Sequence, residues 1–271
     1  MASSTSRRLT SSRRPRKWRL WHFSAVTLLL VGCRSNPQAA PDAGAPSYSR
    51  IDVHVHADPE LYDVALKMVG AQKVERFINL SGGPPGEQLQ HAVALARRHS
   101  PNIAICTNVD WELTEQPGFG ERMAQDVAAA AGMGAVCLKI PKALGLGVGP
   151  PNEPIMPVDD VRMRPVWTKA GQLHMPVFIH VADPKAFFEP LTPRNERYDE
   201  LKVHPRWSFA DPRFPRREVL LIQFENLLRQ NPGTTFVGVH FGNDPEDVAA
   251  TDRRLDTFPN LMIDTLSLIH I

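Results

Sequence analysis

Acidic residues are missing from the first 32 positions, which hold seven basic ones: Arg7, Arg8, Arg13, Arg14, Arg16, Lys17 and Arg19. The formal charge of +2 is therefore misleading, because setting those seven aside leaves 24 basic residues of 31 against 29 acidic ones. A domain of that balance has no basic footprint for nucleic acid, and that partner is excluded. Cysteine is scarce. Of three, only Cys106 and Cys137 lie beyond residue 33, each inside an apolar run. Two thiols build no disulfide framework. They read as small buried hydrophobes, and a bridge between them is not favoured. No apolar run reaches the ~20 residues that cross a bilayer comfortably. Nor does any glycine loop have G-x-G-x-x-G spacing or a phosphate-binding lysine. "SGGPPGEQ", residues 81–88, is glycine-rich, but its prolines remove backbone donors that a phosphate would need. It reads as an ordinary loop between a strand and a helix.

The basic start leads into the short apolar stretch "FSAVTLLLVG" and then "LVGC", Leu30 to Cys33. Basic residues followed by a short apolar segment read as a secretory signal over 1–32. The ending resembles the bacterial lipobox, which implies lipidation of Cys33, export, and attachment to a membrane facing the periplasm or cell exterior. An uncleaved anchor is the alternative. Residues 33–49, rich in Pro, Ala, Ser and Gly, suit a flexible tether.

From residue 50 the chain alternates short β-branched runs with helical stretches. Candidate strands are "RIDVHV", "VERFINL", "NIAICTNV", "GAVCLKI", "PVFIHV", "TTFVGVH" and "NLMIDT". Helix-like segments separate most of them: 59–70, 87–99, 120–131, 159–173, 216–230 and 245–258. Strand and helix in alternation imply a parallel sheet covered by helices on its outer face. The expected fold is an α/β (β/α)8 TIM barrel over 50–265, with about seven strands before the chain stops. In such barrels functional side chains sit at the C-terminal ends of strands. His54 and His56 close the first candidate strand, Lys139 the fourth, His180 the fifth, His240 the sixth and Asp264 the seventh. Residues i and i+2 of a strand share a face, so His54 and His56 both face inward if either does. Two neighbouring imidazoles suit a divalent ion, zinc first, with iron, nickel or cobalt also possible.

"DVHVH" at 52–56, "IHVAD" at 179–183 and "VHFGN" at 239–243 resemble the amidohydrolase superfamily. More narrowly, they resemble the amidohydrolase-related branch that includes aminocarboxymuconate-semialdehyde decarboxylase. The resemblance covers residues 50–265. It implies one divalent metal ion held by His54, His56 and His180, with His240 as a catalytic residue. It also implies an aspartate on an eighth strand, which has no counterpart here. Asp264 belongs to the seventh strand and is not assigned that role. The last six residues, "LSLIHI", match one reading frame of a transposon end used in library preparation. They are expected to be an adapter-derived tail over 266–271, so His270 takes no part in the site.

Lys139 is expected to be a cation facing an anionic substrate; a carbamate that bridges two metals is the alternative. Asp183 and Arg197 fall in or beside a long Pro- and aromatic-rich insertion, 182–218, and are candidate contacts to a small-molecule substrate. Three functions remain open. The first is hydrolysis of an amide, ester or lactone by metal-activated water. The second is non-oxidative decarboxylation of an unsaturated or aromatic acid, and the third is a silent lipid-anchored binding protein.

Overall fold

All seven runs become strands in the computed structural model, which describes residues 50–147 and 154–266. They are β1 Arg50–Val55, β2 Val74–Asn79, β3 Ile103–Asn108, β4 Cys137–Ile140, β5 Val177–Ile179, β6 Phe236–Gly238 and β7 Leu261–Ile263. The order is β1-β2-β3-β4-β5-β6-β7, and every neighbouring pair is parallel. The main helices are α1 Tyr62–Ala71, α2 Glu87–Arg97, α3 Phe119–Met133, α4 Arg164–Gln172, α5 Arg217–Gln230 and α6 Val248–Thr257. The sheet curls as a (β/α)8 barrel does, with seven strands in place among the described residues and with β1 and β7 at its edges. The segments expected to be a leader (1–32) and a tether with Cys33 (33–49), and residues 267–271, lie outside the described residues. No described helix is long and apolar enough to cross a membrane.

Alternation along the strands sorts the core into two sets. Phe77, Ile105, Leu138, Ile140, Val177, Ile179 and Phe236 pack with helix residues such as Leu89, Val127, Trp167 and Phe224. The other parity gives a smaller cluster of Leu80, Cys106, Cys137, Phe178, Val237 and Val239. Continuous apolar strands are needed because both faces of the sheet are buried. Glycine serves close packing at Gly82, where an added Cβ would lie 2.4 Å from the Cys106 carbonyl oxygen. That accounts for Gly82 without a phosphate.

One expectation is corrected. Cys106 and Cys137 form a disulfide. The two residues are register partners on β3 and β4, with Cα atoms 4.3 Å apart. Strand pairing therefore brings together thiols that lie 31 positions apart in sequence. Replacing both cysteines by alanine should cost about 2–4 kcal/mol, the usual worth of such a cross-link. Urea unfolding reads this as a lower midpoint; a midpoint unchanged from the wild type would contradict it.

Candidate metal centre

The histidines meet at the C-terminal end of the sheet. His54 lies within β1 and is buried, while His56 follows the strand on the exposed rim. Their shared parity brings the two Nε2 atoms to 3.2 Å. The other nitrogen of each ring is engaged: His54 Nδ1 lies 2.7 Å from Asp264 Oδ2, and His56 Nδ1 lies 2.6 Å from Ser81 Oγ. An ionised carboxylate only accepts, so His54 Nδ1 donates to Asp264, and Nε2 is the nitrogen turned towards His56. Two nitrogens about 2.0–2.1 Å from one tetrahedral ion stand roughly 3.3–3.4 Å apart, close to the observed spacing. The spacing of this pair thus fits a divalent ion.

His180 follows β5, and its ring lies 4.6 Å from that of His240; the rings of His54 and His240 lie 5.1 Å apart. The ligand atoms of His54, His240 and Asp264 all fall within 4.8 Å of one another. Asp264, set aside on sequence grounds, therefore sits inside the cluster.

His240 is presented by an unusual turn. His240, Phe241, Gly242 and Asn243 have φ of 51°, 60°, 70° and 65°, four left-handed residues in succession. Such conformations cost of order 1–3 kcal/mol at each non-glycine and persist only when their surroundings hold them. Here Asp264 Oδ1 accepts from the His240 N–H at 2.8 Å, and the Asp264 carbonyl accepts from the Phe241 N–H at 2.9 Å. Asn243 accepts from the Val181 N–H at 2.7 Å and donates to the Ile179 carbonyl at 3.3 Å. The loops after β5 and β6 are thereby tied together.

Charge is controlled by desolvation of the rings and by neighbouring charges. Desolvation, then the neighbouring His54, Lys139 and His180, pushes the His56 pKa down to about 4. His240 is likewise pushed to about 4 by desolvation, then by His180 and His54, against the pull of Asp264. Desolvation also lowers His180, opposed by Asp183. Burial alone would raise Asp264, but the hydrogen bonds from His54, His240 and Leu266 outweigh it and hold the carboxyl below its usual range. The result is that His56, His180 and His240 are neutral imidazoles near an ionised carboxylate, the forms that bind metal.

Lys139 is buried, its Nζ has no hydrogen-bond partner, and desolvation lowers its pKa to about 8 against the attraction of Asp264. Asp183 is buried with both oxygens engaged, one by His180 Nε2 at 2.9 Å and one by Lys142 Nζ at 2.5 Å. Arg197 pairs with Glu196 and Glu200 of its own segment at 3.9 and 3.6 Å. Sequence reasoning missed Ser81 and the roles of Asp264 and Lys142. Only the strand-end position of Asp264 offered a signal.

Imidazoles and a carboxylate gathered at the C-terminal end of a curled parallel β/α sheet define a barrel enzyme with a candidate metal centre. The family model for amidohydrolases matches residues 51–268. The chain belongs to the amidohydrolase family. No curated protein matches it. Among solved structures, a candidate amidohydrolase from Staphylococcus aureus is 13% identical with TM-score 0.50, covering 80% of this chain and 78% of that one. A 2,6-dihydroxybenzoate decarboxylase from Rhizobium is 15% identical with TM-score 0.47, covering 81% and 80%. A 4-oxalomesaconate hydratase from Rhodopseudomonas palustris is 12% identical with TM-score 0.49, covering 80% and 74%. At such identities the likeness is one of fold.

Proposed function

We propose that the chain is a metal-dependent hydrolase of small molecules, acting on an amide, ester or lactone carbonyl. The paired Nε2 atoms of His54 and His56, 3.2 Å apart with their other nitrogens engaged, carry this reading. His54, His56 and His180 would hold the ion, zinc first, with Asp264 behind His54. A divalent ion bound there supplies a Lewis acid and lowers the pKa of water from 15.7 towards ~7. His240 is the catalytic residue of this reading, placed to hold the substrate oxygen or move a proton; its pKa, pushed to about 4, keeps it neutral and makes it a weak base. Asp264 fixes the His54 tautomer and, through the His240 N–H, the turn that presents His240. Lys139, buried and unpaired in hydrogen bonding, favours a substrate with negative charge. Asp183 and Arg197, already engaged by His180 and Lys142 and by Glu196 and Glu200, support substrate contact less well.

Export with lipidation at Cys33 belongs to the same proposal. The Cys106–Cys137 disulfide supports it, since such bonds persist in oxidising compartments. The test is zinc-loaded protein assayed against esters, lactones and amides, with CO2 release from aromatic and unsaturated acids measured in parallel. Metal-dependent hydrolysis is expected. CO2 release without hydrolysis would replace this reaction with decarboxylation, and metal binding with neither would indicate a binding protein.

The depressed histidines also set a pH dependence. In the metal-free protein, unfolded histidines take up a proton near pH 6.5, while folded His56 and His240 wait until about pH 4. Stability present above pH 6.5 is therefore lost as pH falls through that window, because the unfolded state binds more protons. Denaturant midpoints at pH 7, 5.5 and 4.5 should fall in that order, and His56→Gln with His240→Gln should flatten the slope. An unchanged slope would contradict the shifts.

A further inference from the structure

His54 and His180 are anchored through opposite nitrogens. His54 is held at Nδ1 by Asp264, whereas His180 is held at Nε2 by Asp183. The His180 N–H donates to the Ile140 carbonyl at 3.0 Å, which holds the main chain and leaves the ring's orientation to its side-chain contacts. Asp183, by contrast, is fixed from three sides. Its Oδ2 accepts from Lys142 Nζ at 2.5 Å, and its carbonyl accepts from Arg217 Nε at 3.1 Å. Its Oδ1 faces His180 Nε2 at 2.9 Å. Lys142 is itself placed over the Phe209 ring, 5.2 Å from the centroid. Arg217 is held by Asp244 Oδ1 at 2.7 Å. Asp183 is 7% exposed, and a carboxylate buried this deeply stays ionised only when paired and hydrogen-bonded. An ionised carboxylate accepts and cannot donate.

We infer that Asp183 is a positioning residue: it holds the proton of His180 on Nε2 and so leaves Nδ1 as that ring's only free lone pair. This places Asp183 behind His180 rather than against substrate. Lys142 and Arg217 serve it by fixing its side chain and its main chain. The consequence for metal binding rests on the hydrolase reading above, whereas the tautomer itself does not.

Long-range 1H–15N spectra of the metal-free, 15N-labelled chain near neutral pH read the tautomer directly. The wild type is expected to show His180 with protonated Nε2 and bare Nδ1. Asp183→Asn should mix the two tautomers and weaken zinc binding about 10–100-fold, the usual cost of losing such a partner. Asp183→Glu should restore a single tautomer and part of the affinity, which a merely structural role would not do. A wild-type His180 protonated on Nδ1, or a single Nε2–H tautomer persisting in Asp183→Asn, overturns the inference. Zinc affinity unchanged in Asp183→Asn overturns it while leaving the metal site standing. The expected tautomers without zinc binding in the wild type would uphold it and remove the metal reading instead. If Asp183→Asn does not fold, the wild-type spectrum and Asp183→Glu decide.

Discussion

His54→Ala should strip the protein of bound divalent metal and of turnover together. His54 is the most buried of the clustered histidines for which both ring nitrogens face partners, at 5% exposure. Its Nε2 faces His56 at 3.2 Å, its Nδ1 meets Asp264 at 2.7 Å, and its ring lies 5.1 Å from that of His240. Removing it deletes a donor atom and leaves Asp264 without its side-chain partner. The loss of metal affinity should exceed the ~10–100-fold typical of losing only a ligand's hydrogen-bond partner. Metal-to-protein ratio and turnover, measured on the same sample, check it. His91→Ala is the control, since that exposed histidine only pairs with Glu60 at 2.7 Å. A wild-type metal ratio in His54→Ala would rule out the ligand assignment.

Asp244→Ala should be the most damaging single change to stability. Asp244 is 3% exposed and accepts from Arg217 Nη2 and Arg254 Nη1, each at 2.7 Å. Arg254 continues to Glu225 at 2.9 Å, and Arg217 reaches the carbonyls of Asp183 and Asn243. One carboxylate thus joins α5, α6 and the loops that carry His180 and His240. Removing one partner from a buried ion pair costs about 3–5 kcal/mol, because the remaining charge stays buried without compensation. At ~2–4 °C per kcal/mol for a domain of this size, the melting temperature should fall by roughly 6–20 °C. Asp244→Asn keeps the shape and should lose less. A melting temperature within ~2 °C of wild type in Asp244→Ala would contradict the network's importance.

Much of the fold was legible because it rests on local pattern. All seven candidate strands and the six helical segments occur, with ends shifted by a few residues. The pair His54 and His56 was legible for the same reason, since side-chain alternation needs no tertiary knowledge. What was hidden depends on register and on loop handedness. The Cys106–Cys137 bridge requires knowing that these residues pair across β3 and β4. The Asp264 contact with His54 joins residues 210 positions apart, at opposite edges of the sheet. The left-handed run at 240–243 inverts what "VGVHFG" suggests, because a β-branched alternating run reads as more strand. Only Gly242 and Asn243, residue types that tolerate positive φ, hinted at the turn.

Anomalous scattering at the absorption edge of added zinc tests the metal centre most directly. One strong peak is predicted among the rings of His54, His56 and His180, the residues that would hold the ion. No peak among these rings, with zinc present in excess, would contradict the metal centre.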